Sequence, residues 1–473
     1  MKVLFASSEV YPFAMSGGLA DVSGALPKAL RRRLVGCRVV MPLYGCVSEE
    51  LRSKMTFLCS ITVPVSWRRQ YCGIYEAHLD GVIYYLLDNQ YYFKREGLYG
   101  HYDDAERFAF FSRAVLEIIP YIGFTPDVIH CNDWQTAMIP VYLTEMYRYN
   151  ELYQDIKTVY TIHNIQYQGK YGKELYKDVL GLPEGHENLV EYDDCINLMK
   201  GGIQCADKVT TVSPTYSREI LDPFYSHGLD NILSKFTYKL TGIVNGIDYD
   251  VYNPETDPQI YKNYSAEDIS GKSENKKCLQ QDMGLPVRDD VPLIGIVTRL
   301  VKHKGIDLVK HVFEELLNAD LQFVILGSGE WEFETFFYEM ASKHPEKVAL
   351  KLGFDQQLAH RIYAGADIFL MPSLSEPCGL AQMVALRYGT VPIVRETGGL
   401  NDTITDSGNN EGNGFTFKNY NAHDMQNTVW RALAGYSDRE GWDILRHRGM
   451  NCNNSWSSSA NAYIRLYKEL IGK

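Results

Sequence analysis

The chain has 473 residues, 45% apolar and 22% charged, which allows two or three globular domains with large cores. Its formal net charge of -12 argues against nucleic acid or an anionic membrane as the main partner, since both need a basic footprint. The ten cysteines are scattered without a CxxC pair, so neither a zinc site nor a disulfide framework is signalled, and reduced thiols in a cytoplasm are the plain reading.

The opening MKVLFASS is too short for a secretory apolar region and is interrupted by Glu9, so it reads as a buried first strand. No run of about 18 apolar residues occurs, and no membrane span is expected. After Val3–Ala6, apolar runs predict strands at Arg38–Met41, Val82–Leu87, Val128–His130, Thr158–Ile162, Val209–Val212 and Gly242–Val244. A polar stretch from Asp248 to Asp290 follows. The pattern then resumes at Leu293–Val297, Gln322–Leu326, Ala349–Leu352, Ile368–Met371 and Val391–Val394, with Pro392 an awkward residue for a strand. These runs are continuous rather than alternating, as in parallel strands covered on both faces. Residues past about Asn453 predict a last amphipathic helix with Ala460, Tyr463, Ile464, Tyr467 and Leu470 on one face. The fold class expected is α/β, with two Rossmann-like doubly wound domains facing each other across a cleft. Their boundaries are placed at 1–245 and 246–455, with 456–473 returning to the first domain.

Open parallel sheets bind ligands beyond the carboxyl ends of their strands. In the first half, the polar residues just after apolar runs are Glu9, the Gly17-Gly18 turn with Asp21, Asp133-Trp134, His163-Asn164 and Asn245. In the second half they are Arg299 with Lys304, Gly327-Ser328-Gly329-Glu330, Glu376 and Thr397-Gly398-Gly399. In SLSEPCGL, Pro377 suits a first helical position, which puts Glu376 at the cap and aims the amides of Cys378 to Leu380 at a ligand. An ordinary capped helix fits the same residues. The glycines and hydroxyl of RETGGLNDT suit a diphosphate, although tight packing explains a GG turn equally well. Arg299 and Lys304 supply the fixed cations a departing diphosphate needs, or else belong to a solvated basic loop. His163 suits a sugar hydroxyl or a developing oxocarbenium ion, Asp133 and Glu9 suit acceptor hydroxyls, and Trp134 suits sugar stacking or simple burial. No acid–base carboxylate pair of a hydrolase and no metal-binding motif stands out.

The ordered motifs SEVYPFAMSGGLADVSGALPKAL, LYGHYDDAERFAFFSRA, HCNDWQTA, TIHNIQYQG, VNGID, RLVKHKGIDL, EPCGLAQMVALRYGTVPIVRETGGL and SWSSSANAYIRLY span nearly the whole chain. Together they resemble the bacterial glycogen synthase and plant starch synthase family. The resemblance implies a retaining GT-B glucosyltransferase that uses ADP-glucose as co-substrate and an α-1,4-glucan as acceptor. It implies no metal or other cofactor and leaves oligomeric state open. It further implies that Arg299 and Lys304 grip the distal phosphate and that Thr397 and Gly398 contact phosphate. Glu376, Cys378 and Gly379 would surround the transferred glucose, while Asp21, Asp133, His163 and Asn245 would line the first-domain side. Three positions depart from the family pattern. Met15 stands where a phosphate-contacting Lys is usual, Phe354 where Tyr often stacks on adenine, and Ser375 where Phe commonly precedes EPCGL. A glucosyltransferase using UDP-glucose or another donor, or a weakened glucan-binding homologue, are the alternatives these departures leave.

Overall fold

A computed structural model describes residues 1–409 and 411–472. The chain divides into two compact units, one made of Met1–Ile243 with the segment from Trp456 onward, the other of Val244–Ser455.

In unit 1 the strands are β1 (Lys2–Ala6), β2 (Gly36–Pro42), β3 (Thr56–Val65), β4 (Arg68–Leu79), β5 (Val82–Asp88), β6 (Val128–Asn132) and β7 (Lys157–Ile162). A small trio follows, β8 (Lys170–Tyr171), β9 (Glu191–Tyr192) and β10 (Cys195–Asn197), before β11 (Lys208–Thr211) and β12 (Leu240–Gly242). Among the described residues the main sheet runs β12-β11-β7-β6-β1-β2-β5-β4-β3. It is parallel from β12 to β5, and β4 and β3 add an antiparallel edge. The chain builds outward from β1 through β2 and β5, then resumes on the other side of β1 with β6. The carboxyl ends of β1 and β6 therefore flank the switch point where an open sheet leaves a crevice.

The apolar runs mark the parallel strands to within a residue or two, with one small shift. The run placed at Gly242–Val244 is the strand Leu240–Gly242, although Ile243 N–H still donates to Thr211 O at 2.8 Å. The β3–β4 hairpin carries no continuous apolar run because most of its residues are exposed or half-exposed. The final helix is Trp456–Leu470, and it packs into unit 1. Tyr463 and Tyr467 are buried, Tyr467 Oη lies 2.6 Å from His130 Nδ1, and Lys208 pairs with Glu469 at 3.0 Å. Ile464 and Leu470, assigned to the same face by the sequence, are only half-buried; Trp456 and Leu466 are the buried residues there.

Unit 2 holds β13 (Leu293–Val297), β14 (Gln322–Gly327), β15 (Val348–Leu352), β16 (Ile368–Met371), β17 (Val391–Arg395) and β18 (Phe415–Phe417). The order is β15-β14-β13-β16-β17-β18, parallel throughout, with its switch point between β13 and β16. Both faces are covered. Ile294, Ile296, Phe323 and Ile325 enter one core with Phe313, Phe337 and Val429. Their alternating neighbours Leu293, Val324 and Leu326 enter another with Leu279, Ile362 and Ala366. This is why the runs read as continuous. Pro392 fits because β18 first pairs with β17 at Ile393, while Val391 N–H meets Asp367 O on the other side, so no ladder donor is missing.

Candidate active site

In unit 1, Glu9 follows β1 and is only 4% exposed. Its Oε2 accepts Ser16 N–H at 2.6 Å and Gly17 N–H at 3.2 Å, and its Oε1 accepts Tyr99 O–H at 2.9 Å. The sequence assigns Glu9 to an acceptor hydroxyl; the structure instead spends it on fastening the Met15–Gly18 turn. A Cβ added at Gly17 or Gly18 would meet nothing within 4 Å, so the chain's own packing leaves open space above that turn. Met15 is 44% exposed beside it. Asp21, in the first turn of the helix Gly18–Arg31, has its carboxyl pushed up to about 6 by burial and by the charge of Glu9.

Asp133 follows β6 with φ +56 and ψ -177, outside the left-handed helical well and in a strained region that glycine alone takes readily. Its Oδ1 accepts the His163 N–H at 2.7 Å, tying the ends of β6 and β7 together. Burial pushes its carboxyl up to about 7, opposed by that bond and by the amide of Asn164. Burial also pushes His163 down to about 3, so the ring is neutral at physiological pH. Its Nε2 lies 2.9 Å from Asn132 Oδ1, while Asn132 Nδ2 donates to Ala6 O at 2.9 Å. The Asn oxygen can only accept, so the ring proton sits on Nε2 and Nδ1 keeps an accepting lone pair. Trp134 takes the buried role. Its ring is 9% exposed, edge-on to Phe108 at 5.0 Å and so close to Gly169 that a Cβ there would lie 2.7 Å from Trp134 Cε3.

In unit 2, four loops named by the sequence meet at the carboxyl edge of one sheet. After β13, Lys304 Nζ reaches Glu376 Oε2 at 2.6 Å, with side chains 18% and 9% exposed. Ser373 O–H donates to the same oxygen at 3.1 Å. Arg299 is exposed, with Nη2 3.5 Å from His303 Nε2 and no carboxylate paired to it among the described residues. His303 is held below its usual range by burial and by the charges of Lys304 and Arg299, so it adds no competing proton there. Leu374 N–H donates to His303 O at 3.0 Å, which stitches the Lys304 turn to the Glu376 loop.

The turn after β17 locks onto the Glu376 loop. Gly399 N–H donates to Glu376 O at 3.2 Å, and a Cβ on Gly398, whose φ is +44, would lie 1.9 Å from that carbonyl. Only glycine fits so close an approach. Thr397 is fully buried, and the turn is fastened to the backbone of Glu376. The Glu376 segment also differs from the expected cap. The helix starts at Ala381, because Gly379 adopts φ +67 and Gln382 folds back to donate to Cys378 O and Gly379 O, both at 3.1 Å. Cys378 is inert: burial pushes its thiol up to about 12. Asn245, expected with the first domain, belongs to unit 2, where its backbone N–H meets Cys378 and its buried Oδ1 has no hydrogen-bond partner among the described residues. At the other edge, Ser328 follows β14 and Phe354 follows β15, the latter 85% exposed. An open aromatic face beside a hydroxyl suits a nucleoside.

Ser373, Arg395 and Tyr99 carry the site without having been marked as functional. Arg395 donates to Ser373 O at 3.1 Å and Leu374 O at 2.6 Å, which secures the loop that Ser375 leaves without an aromatic behind it. A separate recess of about 640 Å³ lies between the helices Ile306–Leu316 and Trp331–Lys343. Its charges are spent within the chain, Lys310 on Glu332 and Glu314 on Lys343. Among the described residues, no helix is long and apolar enough to cross a membrane, and no group of three His, Cys, Asp or Glu side chains is placed to hold a metal ion.

Residues 2–235 match the starch synthase catalytic domain family, and residues 281–444 match the glycosyl transferases group 1 family. The chain is 53% identical to a glycogen synthase of Geobacillus thermodenitrificans (strain NG80-2) over 477 residues, covering 100% of this chain and 98% of that one. It is also 53% identical to a glycogen synthase of Bacillus cereus (strain B4264), with both chains covered completely. The catalytic domain of starch synthase IV from Arabidopsis thaliana, solved bound to ADP and acarbose, superposes with a TM-score of 0.93 at 34% identity, covering 100% of this chain and 99% of that one. A sucrose-phosphate synthase from Thermosynechococcus elongatus, at 18% identity and a TM-score of 0.61, shares the fold. With full-length relatives on one side and the Lys304–Glu376 edge on the other, the chain belongs to the glycogen synthase and starch synthase family of glycosyltransferases.

Proposed function

We propose that this protein transfers glucose from ADP-glucose to the non-reducing end of an α-1,4-glucan with retention of configuration. The observation that carries the reading is the Lys304–Glu376 pair at 2.6 Å beside the unpaired Arg299 guanidinium, at the carboxyl edge of a parallel sheet. In this reading the bond between glucose C1 and the distal phosphate breaks, and the acceptor 4-hydroxyl bonds to C1 on the same face. The acceptor proton goes to the departing phosphate oxygen. Arg299 and Lys304 stabilise the charge that builds on the diphosphate, and with these two cations there the reading includes no metal cofactor. Phe354 and Ser328 receive the nucleoside, while Asn245 and Glu376 face the glucose. In unit 1, the neutral His163 ring keeps an accepting Nδ1 that suits a sugar hydroxyl. The Gly17-Gly18 turn and Asp21 serve the substrates, with Glu9 and Asp133 holding that frame. All ten cysteines are free thiols, which is compatible with a reducing compartment.

The test is turnover of ADP-glucose and UDP-glucose side by side with glycogen as acceptor. ADP-glucose should be favoured by about tenfold or more in kcat/KM, the scale of one hydrogen-bonded discrimination. No ADP release from folded protein would defeat the reading, and a preference for UDP-glucose would correct the donor.

Met15 favours one secondary reading, a catalytically weakened enzyme, because an exposed apolar side chain stands beside an open turn where a cation would meet phosphate. Met15→Lys is expected to raise kcat/KM for the donor about tenfold, the lower end of a charge-assisted bond because the position is partly solvated. An unchanged value would show that Met15 costs the enzyme nothing.

A further inference from the structure

Tyr420 lies just past β18, far in sequence from both catalytic loops. Its hydroxyl is within hydrogen-bond reach of Lys302 O, at 3.0 Å, and of the Asp307 carboxylate, so its single proton is shared between two acceptors on the Lys302–Asp307 segment. Its ring stands 5.8 Å from the Arg395 guanidinium carbon. Arg395 is 6% exposed and donates to the carbonyls of Ser373 and Leu374, and also to Lys418 O at 3.3 Å. Ser373 in turn donates to Glu376 Oε2, the oxygen that meets Lys304.

From this chain of contacts we infer that Tyr420 is a positioning residue for glucosyl transfer, bracing the Lys302–Lys304 turn through its hydroxyl and the Ser373–Glu376 loop through Arg395. The inference rests on the reading of Lys304 and Glu376 given above. Lys304 sits at the end of a three-residue turn whose own backbone bonds are few: Lys304 N–H to Val301 O at 3.0 Å and Gly305 N–H to Lys302 O at 2.8 Å. The hydroxyl of Tyr420 fixes that turn from outside. Lys302 is exposed and Tyr420 half-buried, so water can replace the lost hydroxyl in a variant and the fold is not at stake. What changes is the spread of positions open to the Lys304 ammonium, and a transition state tolerates such spread poorly.

Tyr420→Phe keeps the ring over Arg395 and removes only the hydroxyl. It is expected to lower kcat about tenfold while KM for glycogen stays within about twofold. Amide exchange of residues 300–306, measured in the ligand-free protein by mass spectrometry, should rise in the same variant. Thr428→Ala is the comparison. It removes a buried hydroxyl that bonds Asp424 O at 2.9 Å on the helix Ala422–Ser437, so it lowers Tm without touching either loop and should leave kcat unchanged. Wild-type kcat in Tyr420→Phe, unchanged exchange at residues 300–306, or an equal fall in kcat in Thr428→Ala would each overturn the brace. If the unaltered protein fails to turn over ADP-glucose, the activity reading falls, and the exchange measurement still decides the role of Tyr420.

Discussion

Lys304→Ala is expected to lower kcat for glucosyl transfer by about 10²–10³-fold, the scale of losing one preorganised charge stabiliser. Two effects add. The departing diphosphate loses a cation that the structure holds at 18% exposure, and Glu376 keeps only the Ser373 hydroxyl on the oxygen that Lys304 had neutralised. Arg299 does not cover the loss, because it is exposed and anchored only by a long contact to His303. Glycogen binding, followed by co-sedimentation, should stay nearly intact, since no part of the glucan chain is assigned to Lys304. A variant with normal kcat would remove Lys304 from the chemistry.

Glu376→Ala should cost about 10²-fold in kcat, from the loss of charge-assisted bonds of roughly 1.5–3 kcal/mol with the freed Lys304 compounding it. The informative experiment is the double variant. Lys304 and Glu376 share one short contact, so Lys304→Ala combined with Glu376→Ala should lose little beyond Lys304→Ala alone. Initial rates with saturating ADP-glucose and glycogen measure all three. Factors that multiply would mean that the two side chains act independently and that their contact has no catalytic meaning.

The parallel strands of both sheets were legible because burial on two faces writes itself into the chain as uninterrupted Val, Ile, Leu and Phe. Ile294 faces one core and Leu293 the other, and neither position tolerates a polar residue. The stretch from Asp248 to Asp290 was not legible. It contains the helix Ser270–Asp282, whose buried face carries Lys272 and Lys276. Lys272 Nζ bonds Ala364 O at 3.0 Å and Tyr388 O at 2.9 Å, and Lys276 pairs with Asp367 at 2.7 Å. A helix that docks through buried lysine nitrogens looks like a linker to any reading based on apolar periodicity. The rule for open sheets singles out the residues that follow strands, and the structure brings two of them, Lys304 and Glu376, into contact. Residue type alone did not reveal that Glu9 holds the Ser16-Gly17 amides or that Trp134 is buried, because it does not tell which loop a side chain will meet. Tyr420 gave no signal, since its value comes from contacts more than a hundred residues back along the chain.

The helix Trp456–Leu470 follows unit 2 in the chain and belongs to the first unit. A nascent chain therefore has to hold unit 1 unfinished while about 200 intervening residues are made, roughly 10–40 s at ordinary elongation rates. Throughout that wait the pocket that will receive Tyr463 and Tyr467, with His130 at its base, has nothing to fill it. Until that helix docks, unit 1 shows an apolar seam around His130.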